Sequence, residues 1–256
     1  MLNSWRFSSR LAQHCQLSRK ERHDWARAHM LLLCILACSP VLLALLDIFT
    51  DWDLLLADAV FDLRTKTFPW RHAWLTEVFN HRILKALFTI AGLGFVVAAA
   101  WDAIIATRSS WLYRFRLRVV ALSAVLVPLT ISTLKQLSNT HCPWDLQRYG
   151  GSAPYVRLFE MFPAGVDPGQ CMPAGHASSA LWMISLAVFF IPRRLPHAAT
   201  VLGIFLAVGF GVGCLQQLRG AHFLSHTLWS MWVALATVFL VTTCCDRWPV
   251  PNNTFA

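Results

Sequence analysis

Three polar clusters interrupt an otherwise apolar chain, and each carries side chains able to hold an anion or move a proton. The first runs from Lys135 through Asn139 and on to His141, Pro143 and Asp145. The second is Pro173-Ala174-Gly175-His176, and the third is Arg219-Gly220-Ala221-His222 with His226 close behind. An imidazole can serve as nucleophile or as general acid and base near neutral pH. Lysine offers a point charge and arginine a planar fork of donors, both suited to anionic oxygens. Gly175, beside a helix start, would let backbone N–H groups and the helix dipole meet the same anion. Taken singly, each residue has a bland explanation. Lys135 can snorkel from a span end to the interface, Arg219 can meet lipid headgroups, and the histidines can pack against helix ends. Taken together they need elements that bring them to one place.

Membrane helices are the elements that fit. Hydrophobic residues make up 56% of the 256 and charged residues only 14%, well short of the quarter expected of a soluble domain. Six apolar segments are long enough to cross a bilayer: Met30 to Phe49, Leu84 to Ala106, Val119 to Leu134, Ala174 to Ile191, Ala198 to Leu215 and Leu224 to Cys245. Each must be helical, because unsatisfied backbone groups in lipid cost several kcal/mol. The expected fold is therefore all-α, a polytopic membrane bundle of six transmembrane helices spanning residues 30–245. A basic leader (1–29) precedes it and a short tail (246–256) follows, with no internal repeat.

Charge orients the bundle. The net charge of +9 is concentrated in segments between apolar runs, not along one interleaved face, which argues against a nucleic-acid partner. Arg6, Arg10, Arg19, Lys20, Arg22 and Arg27 fill the leader; Arg108, Arg114, Arg116 and Arg118 follow the second span; Arg193 and Arg194 follow the fourth. By parity all three segments share a side, so the positive-inside rule makes both termini cytoplasmic. The first connection is acidic (Asp51, Asp53, Asp58, Asp62) and carries Trp52, Trp70 and Trp74; a short amphipathic helix on the outer surface is expected there. All three polar clusters then abut the outer ends of spans, within catalytic loops at 135–176 and 216–226. Ionisable groups at membrane depth are costly and usually mark function.

These motifs resemble the type 2 phosphatidic acid phosphatase superfamily, which shares its core with the vanadium haloperoxidases and has the pattern K-x6-R-P, P-S-G-H and S-R-x5-H-x3-D. In this chain the matching residues are Lys135 with Cys142-Pro143, Pro173-Ala174-Gly175-His176, and Gln216 to His226, so the resemblance covers about Leu134 to Ser230. It implies metal-free, cofactor-free hydrolysis of a lipid phosphate held in the membrane, such as phosphatidate, a polyprenyl diphosphate or a lipid A phosphate. It also implies that His222 attacks phosphorus to form a phosphohistidine, that His176 protonates the leaving oxygen and then activates water, and that Lys135 and Arg219 hold the phosphoryl oxygens.

Several positions depart from the pattern, and three of them touch the chemistry directly. Cys142 stands where the family has arginine, with Arg148 or Arg157 of the same loop as substitutes. Gln216 takes the second arginine position, with Arg219 three residues on and so on the same face of a helix. His226 replaces the aspartate that orients the nucleophile, and a neutral imidazole supplies no negative charge to stabilise an imidazolium; Asp145 is another acid for that task. A second register makes His226 the nucleophile, although Gly220 and Ser225 favour His222.

Two further function classes stay open. One is a metal-dependent hydrolase using His141, Cys142, His176, His222 and His226 as ligands. The other is a lipid-phosphate binder or transporter without turnover. Of eight cysteines, only Cys142 and Cys171 fall in the outer loop, an oxidising compartment in this topology. A disulfide between them would close a loop of about 30 residues, contribute roughly 3 to 4 kcal/mol, and staple the first motif to the second.

Overall fold

Ser18 and Glu21 form a reciprocal capping box, each side chain accepting from the other's backbone N–H, and this starts the first long helix well before its apolar run. The structure, a computed structural model, describes residues 10–105, 109–158 and 160–247. Arg6, Arg108 and residues 248–256 of the expected tail lie outside that set. The elements are α1 (Arg10–His14), α2 (Arg19–Phe49), α3 (Trp52–Val60), α4 (Trp74–Ile105), α5 (Trp111–Gln136), α6 (Gly175–Phe189), α7 (Leu195–Leu218) and α8 (Leu224–Arg247). Short 3₁₀ turns cover Pro143–Asp145 and Gln147–Tyr149.

Five helices, α2, α4, α5, α7 and α8, are long and apolar enough to cross a membrane. The fourth expected span is a shorter apolar helix, Gly175–Phe189, wound as α-helix to Leu181 and as 3₁₀ from Trp182. At about 1.5 Å per α-helical and 2 Å per 3₁₀ residue it reaches roughly 26 Å, near the thickness of the hydrocarbon core. The other helices run beyond their apolar stretches. Polar residues such as those of Arg19–His29 continue the helix because nothing there breaks it, so most of the described leader is the base of α2.

The core lies where α5, α6 and α8 meet, with Val119, Val127, Ile131, Ala177, Leu181, Ile184 and Ala234 almost fully buried. Gly209 and Gly213 let α7 approach closely: a methyl group there would collide with Leu181 and Thr227 respectively. In contrast, α2 has no buried residue and α4 only a few, so both present apolar faces outward.

The connections segregate to the two ends. At one end Arg116 donates to the Ile191 carbonyl, Arg193 to the Cys15 carbonyl, and the Leu11 N–H to Asp246, while Arg114 pairs with Asp102 at 3.3 Å. At the other end lie α3 and the two loops that carry the motifs. Arg157 there donates to the Asp47, Ile48 and Thr50 carbonyls and pairs with Asp51 at 2.6 Å, satisfying the C-terminus of α2.

Candidate active site

The last turn of α5 carries Lys135, and the chain then leaves the helix to run beside residues 169–171. The N–H groups of Gly169, Gln170 and Cys171 donate to the carbonyls of Asn139, Ser138 and Thr140. A disulfide joins Cys142 to Cys171 over a separation of 29 residues and ties the first cluster to the second. The strand-like contact leaves no room for a side chain at Gly169, where a methyl group would meet His141. Three residues past the disulfide, the Ala174 N–H donates to the His226 carbonyl and the Ser230 hydroxyl donates to the Ala174 carbonyl, so the start of α6 is sewn to α8. Gly175 opens α6 against the Lys135 stem.

The third cluster turns sharply at Gly220, whose φ of +72° suits glycine and whose missing side chain leaves space for Phe68. The Trp144 N–H closes this turn onto the Gly220 carbonyl at 3.0 Å. The N-terminus of α8 is then held by Asp53 of α3, which accepts from both the N–H (3.0 Å) and the hydroxyl of Ser225. Burial raises the Asp53 carboxyl to about 6 despite these donors. A carboxylate at a helix N-terminus satisfies orphan donors and complements the dipole, and in this fold it comes from a distant helix.

These constraints bring the histidines together. His176 Nδ1 lies 3.4 Å from His222 Nε2, and the two ring centroids are 5.6 Å apart. On its other side, His222 Nδ1 lies 3.4 Å from Cys171 Sγ. A disulfide sulfur has no hydrogen to give, so Nδ1 is the donor and Nε2 keeps its lone pair toward His176. His222 is buried; desolvation, reinforced by His226, Lys135 and Arg219, pushes its pKa well below the ordinary histidine value and keeps it neutral.

His226 sits deeper, with its ring 5.8 Å from His222 and 5.4 Å from Phe223, and its Nδ1 is buried without a partner among the described residues. The neighbour of the His222 Nδ1 is therefore Cys171, not the residue at the aspartate position. Asp145 makes no side-chain hydrogen bond to a histidine among the described residues.

The cations divide sharply. Arg219 is almost buried. It donates to the Gln216 side chain at 3.2 Å and to the Arg71 carbonyl at 3.0 Å, and its guanidinium lies 5.8 Å from the Trp144 ring centroid. Gln216 at the arginine position thus holds Arg219 across one turn. Arg148 instead forms a two-pronged pair with Asp58, at 2.9 and 2.6 Å, on an exposed surface, and Arg157 caps α2. Neither arginine of this loop is free to replace the one lost at Cys142.

Of the expected metal ligands, Cys142 and His222 come within 4.8 Å of one another together with Cys171, which was not among them, but the disulfide consumes both thiolates. His141 stacks on Phe162 instead.

Sequence reasoning missed several contributors. His81 of α4 packs against His176 with ring centroids 4.3 Å apart. Asn80 donates to the Val212 carbonyl at 3.2 Å and docks this stretch of α4 on α7. Arg71 lies over Trp144 at 4.8 Å. Asp53 carried a legible signal, an acid inside the apolar run Trp52–Val60; His81 did too, as an ionisable residue close to a span.

A cavity of about 550 Å³ opens beside His222, walled mainly by Leu56, Ala57 and Val60 of α3 and Leu215 and Leu218 of α7. The model of the PAP2 superfamily matches residues 116–249, which include all three motif clusters. No curated protein and no solved structure matches the chain.

Proposed function

The chain belongs to the PAP2 superfamily, and from that premise we propose that it is an integral membrane phosphatase acting on a lipid phosphate or diphosphate through a phosphohistidine. The observation that carries this reading is the convergence of His176, His222, Lys135 and Arg219 from three separate segments onto one end of the bundle. Phosphatidate, polyprenyl diphosphates and lipid A phosphates share the needed chemistry, a phosphoryl group on an amphiphile whose tails stay in the bilayer. The apolar cavity beside His222 supports such a ligand, because its walls suit a hydrocarbon chain.

The neutral His222 attacks phosphorus through Nε2, forming the N–P bond as the lipid oxygen leaves. With the His222 Nε2 lone pair facing it, the His176 Nδ1 carries a hydrogen; once the anionic phosphoryl group has brought a second proton onto the ring, the His176 imidazolium gives one proton to the leaving oxygen and is left neutral. A phosphoryl group must displace the 3.4 Å contact between the two rings, so His176 moves aside as substrate binds. His176 then takes a proton from water, whose oxygen attacks phosphorus, breaks the N–P bond and releases phosphate. Lys135 and Arg219 neutralise the charge that builds on the phosphoryl oxygens. Cys171 keeps the His222 tautomer in which Nε2 is free, a service usually given by a carboxylate.

We place the site on the periplasmic face of a bacterial inner membrane. In this arrangement α6 is the fourth of six spans and both termini are cytoplasmic, a sidedness supported by the basic residues gathered at the opposite end. Phosphate release from the three lipid classes, compared between the parent and His176→Ala, His222→Ala and His226→Ala, tests the reaction. Loss in the first two variants supports His222 as nucleophile and His176 as general acid, and full activity in His222→Ala would move the nucleophile to His226. Cysteine-accessibility labelling tests the sidedness, and labels at Lys135 and His222 reporting opposite faces would end the proposal.

A further inference from the structure

Relative to the motif pattern, this chain lacks one cation, at Cys142, since Arg219 stands in for the arginine missing at Gln216, and the nearby Arg148 and Arg157 are committed elsewhere. A phosphoryl group carrying up to two negative charges still needs opposing positive charge. Among the described residues, two more segments with basic groups approach the site: that of Arg71, which lies over Trp144 and accepts from Arg219, and a second that reaches the histidines. It is the first half of α4, before the segment matched by the family model begins.

Three observations single it out. Trp74–Leu84 is wound as a π-helix, a form concentrated at functional sites because the extra residue re-aims side chains. Within it, His81 lies against the His176 ring at 4.3 Å, and its Nδ1 is buried with no partner among the described residues. Such an atom is costly unless something in the loaded site bonds to it. One helical turn on is Lys85. Lys85 stands in an otherwise apolar run, Ile83–Thr89, on a helix that crosses the membrane, and no carboxylate pairs with it among the described residues. A lysine there is expensive in lipid, and Lys85 is exposed one turn from the ring that touches His176, so a bound phosphoryl group would give it the anionic partner it otherwise lacks.

We infer that α4 completes the phosphoryl site. Lys85 supplies the positive charge missing at Cys142, and His81 positions the His176 ring and offers its free nitrogen to the loaded site. The ligand chemistry is that of a phosphate monoester or diphosphate reaching the site from the bilayer, past the outward face of α4. This inference rests on the phosphatase reading above. It adds that residues outside the three motifs set substrate affinity and the orientation of the general acid.

The experiment is steady-state phosphate release by the full chain in detergent with one cleaved lipid phosphate, comparing Lys85→Met, Lys85→Arg, His81→Phe and Arg82→Gln. Arg82 neighbours both residues but pairs with Glu77 at 3.1 Å on an exposed surface, so Arg82→Gln leaves the kinetics unchanged. Lys85→Met raises KM about 10- to 100-fold, the effect of losing one charge-assisted contact, and Lys85→Arg restores most of it. His81→Phe keeps the ring packing but lowers kcat with KM unchanged. Thermal melting of each variant separates these effects from misfolding: parental kinetics in Lys85→Met and His81→Phe proteins that melt like the parent overturn the inference. Should Lys85→Met fail to fold, Lys85→Gln decides the question by the same KM criterion. A parent that releases no phosphate from any lipid class defeats the phosphatase reading itself, a different outcome from an active parent indifferent to changes in α4.

Discussion

The two halves of this molecule solve opposite problems. From α5 onward the chain builds the buried core and carries the three motif clusters, with α6 almost wholly enclosed and His222 and His226 sealed beneath the turn at Gly220. The N-terminal half, α2 to α4, buries little and turns apolar faces outward, yet Asp53, Asn80 and His81 all reach from it into the site. The difference teaches that packing and chemistry are distributed separately. The half that provides little core still decides where the ends of α7 and α8 sit, and hence how the histidines face each other.

The sharpest way to break this division is to remove the imidazoles of the core half. His222→Ala is expected to lower phosphate release by about a thousandfold or more and His176→Ala by about 10²- to 10⁴-fold, with melting temperatures near the parent's, as read by lipid-phosphate turnover. If both variants keep parental rates, the reaction does not run through these rings. Vanadate, which imitates the pentacoordinate phosphoryl transition state, is expected to inhibit the parent.

Next in size is the covalent staple within the core half. Replacing Cys142 and Cys171 by serine is expected to cost about 3 to 4 kcal/mol in chemical denaturation, because the link closes a loop of 29 residues. It also removes the sulfur beside His222 Nδ1, so turnover drops even under conditions where the variant stays folded.

A smaller effect tests the contribution of the N-terminal half. The Asp53 carboxyl is raised to about 6 from an ordinary 3.8, chiefly by burial, so the folded chain holds a proton that the unfolded chain releases between those values. The associated stability is fully present below pH 3.8 and is lost as pH rises through about 6, a change on the order of 2 to 3 kcal/mol. Asp53→Asn removes that component of the pH dependence. His222 works in the opposite sense, since its depressed pKa favours the folded state as pH rises toward 6.5. The difference between variant and parent melting curves across pH isolates Asp53, and identical slopes would show that α3 does not hold α8 through this carboxylate.

The smallest effect is expected at Arg148. Its pair with Asp58 lies on an exposed surface, so Arg148→Gln should shift stability by less than about 1 kcal/mol and leave turnover within about threefold. A large loss of turnover would return Arg148 to the phosphate site.

Much of this was legible from residue types alone. Long apolar runs demand helices because lipid offers backbone groups no partner, and that argument located all five long helices and the shorter α6. The pairing of Cys142 with Cys171 followed from where the loops fall, and it is present in the structure. Helix ends were less legible, because Ser18 and Glu21 extend α2 through a local capping box that an apolar-run reading passes over. The cation assignment in the 135–173 loop could not be settled by spacing. Arg148 and Arg157 are three and twelve residues from Asp145 in sequence, but what each one meets depends on Asp58 and the end of α2 in space.

The amino-acid sequence by itself determined the membrane helices, the three motif clusters and their gathering at one end, because hydrophobic length and charge parity act locally and add along the chain. Only the tertiary structure decided which nitrogen of His222 faces His176, that Cys171 and not His226 adjoins the other nitrogen, and that Asp53 and His81 belong to the site. Those outcomes depend on ångström-scale distances between segments tens to more than a hundred residues apart, and no local pattern encodes such distances.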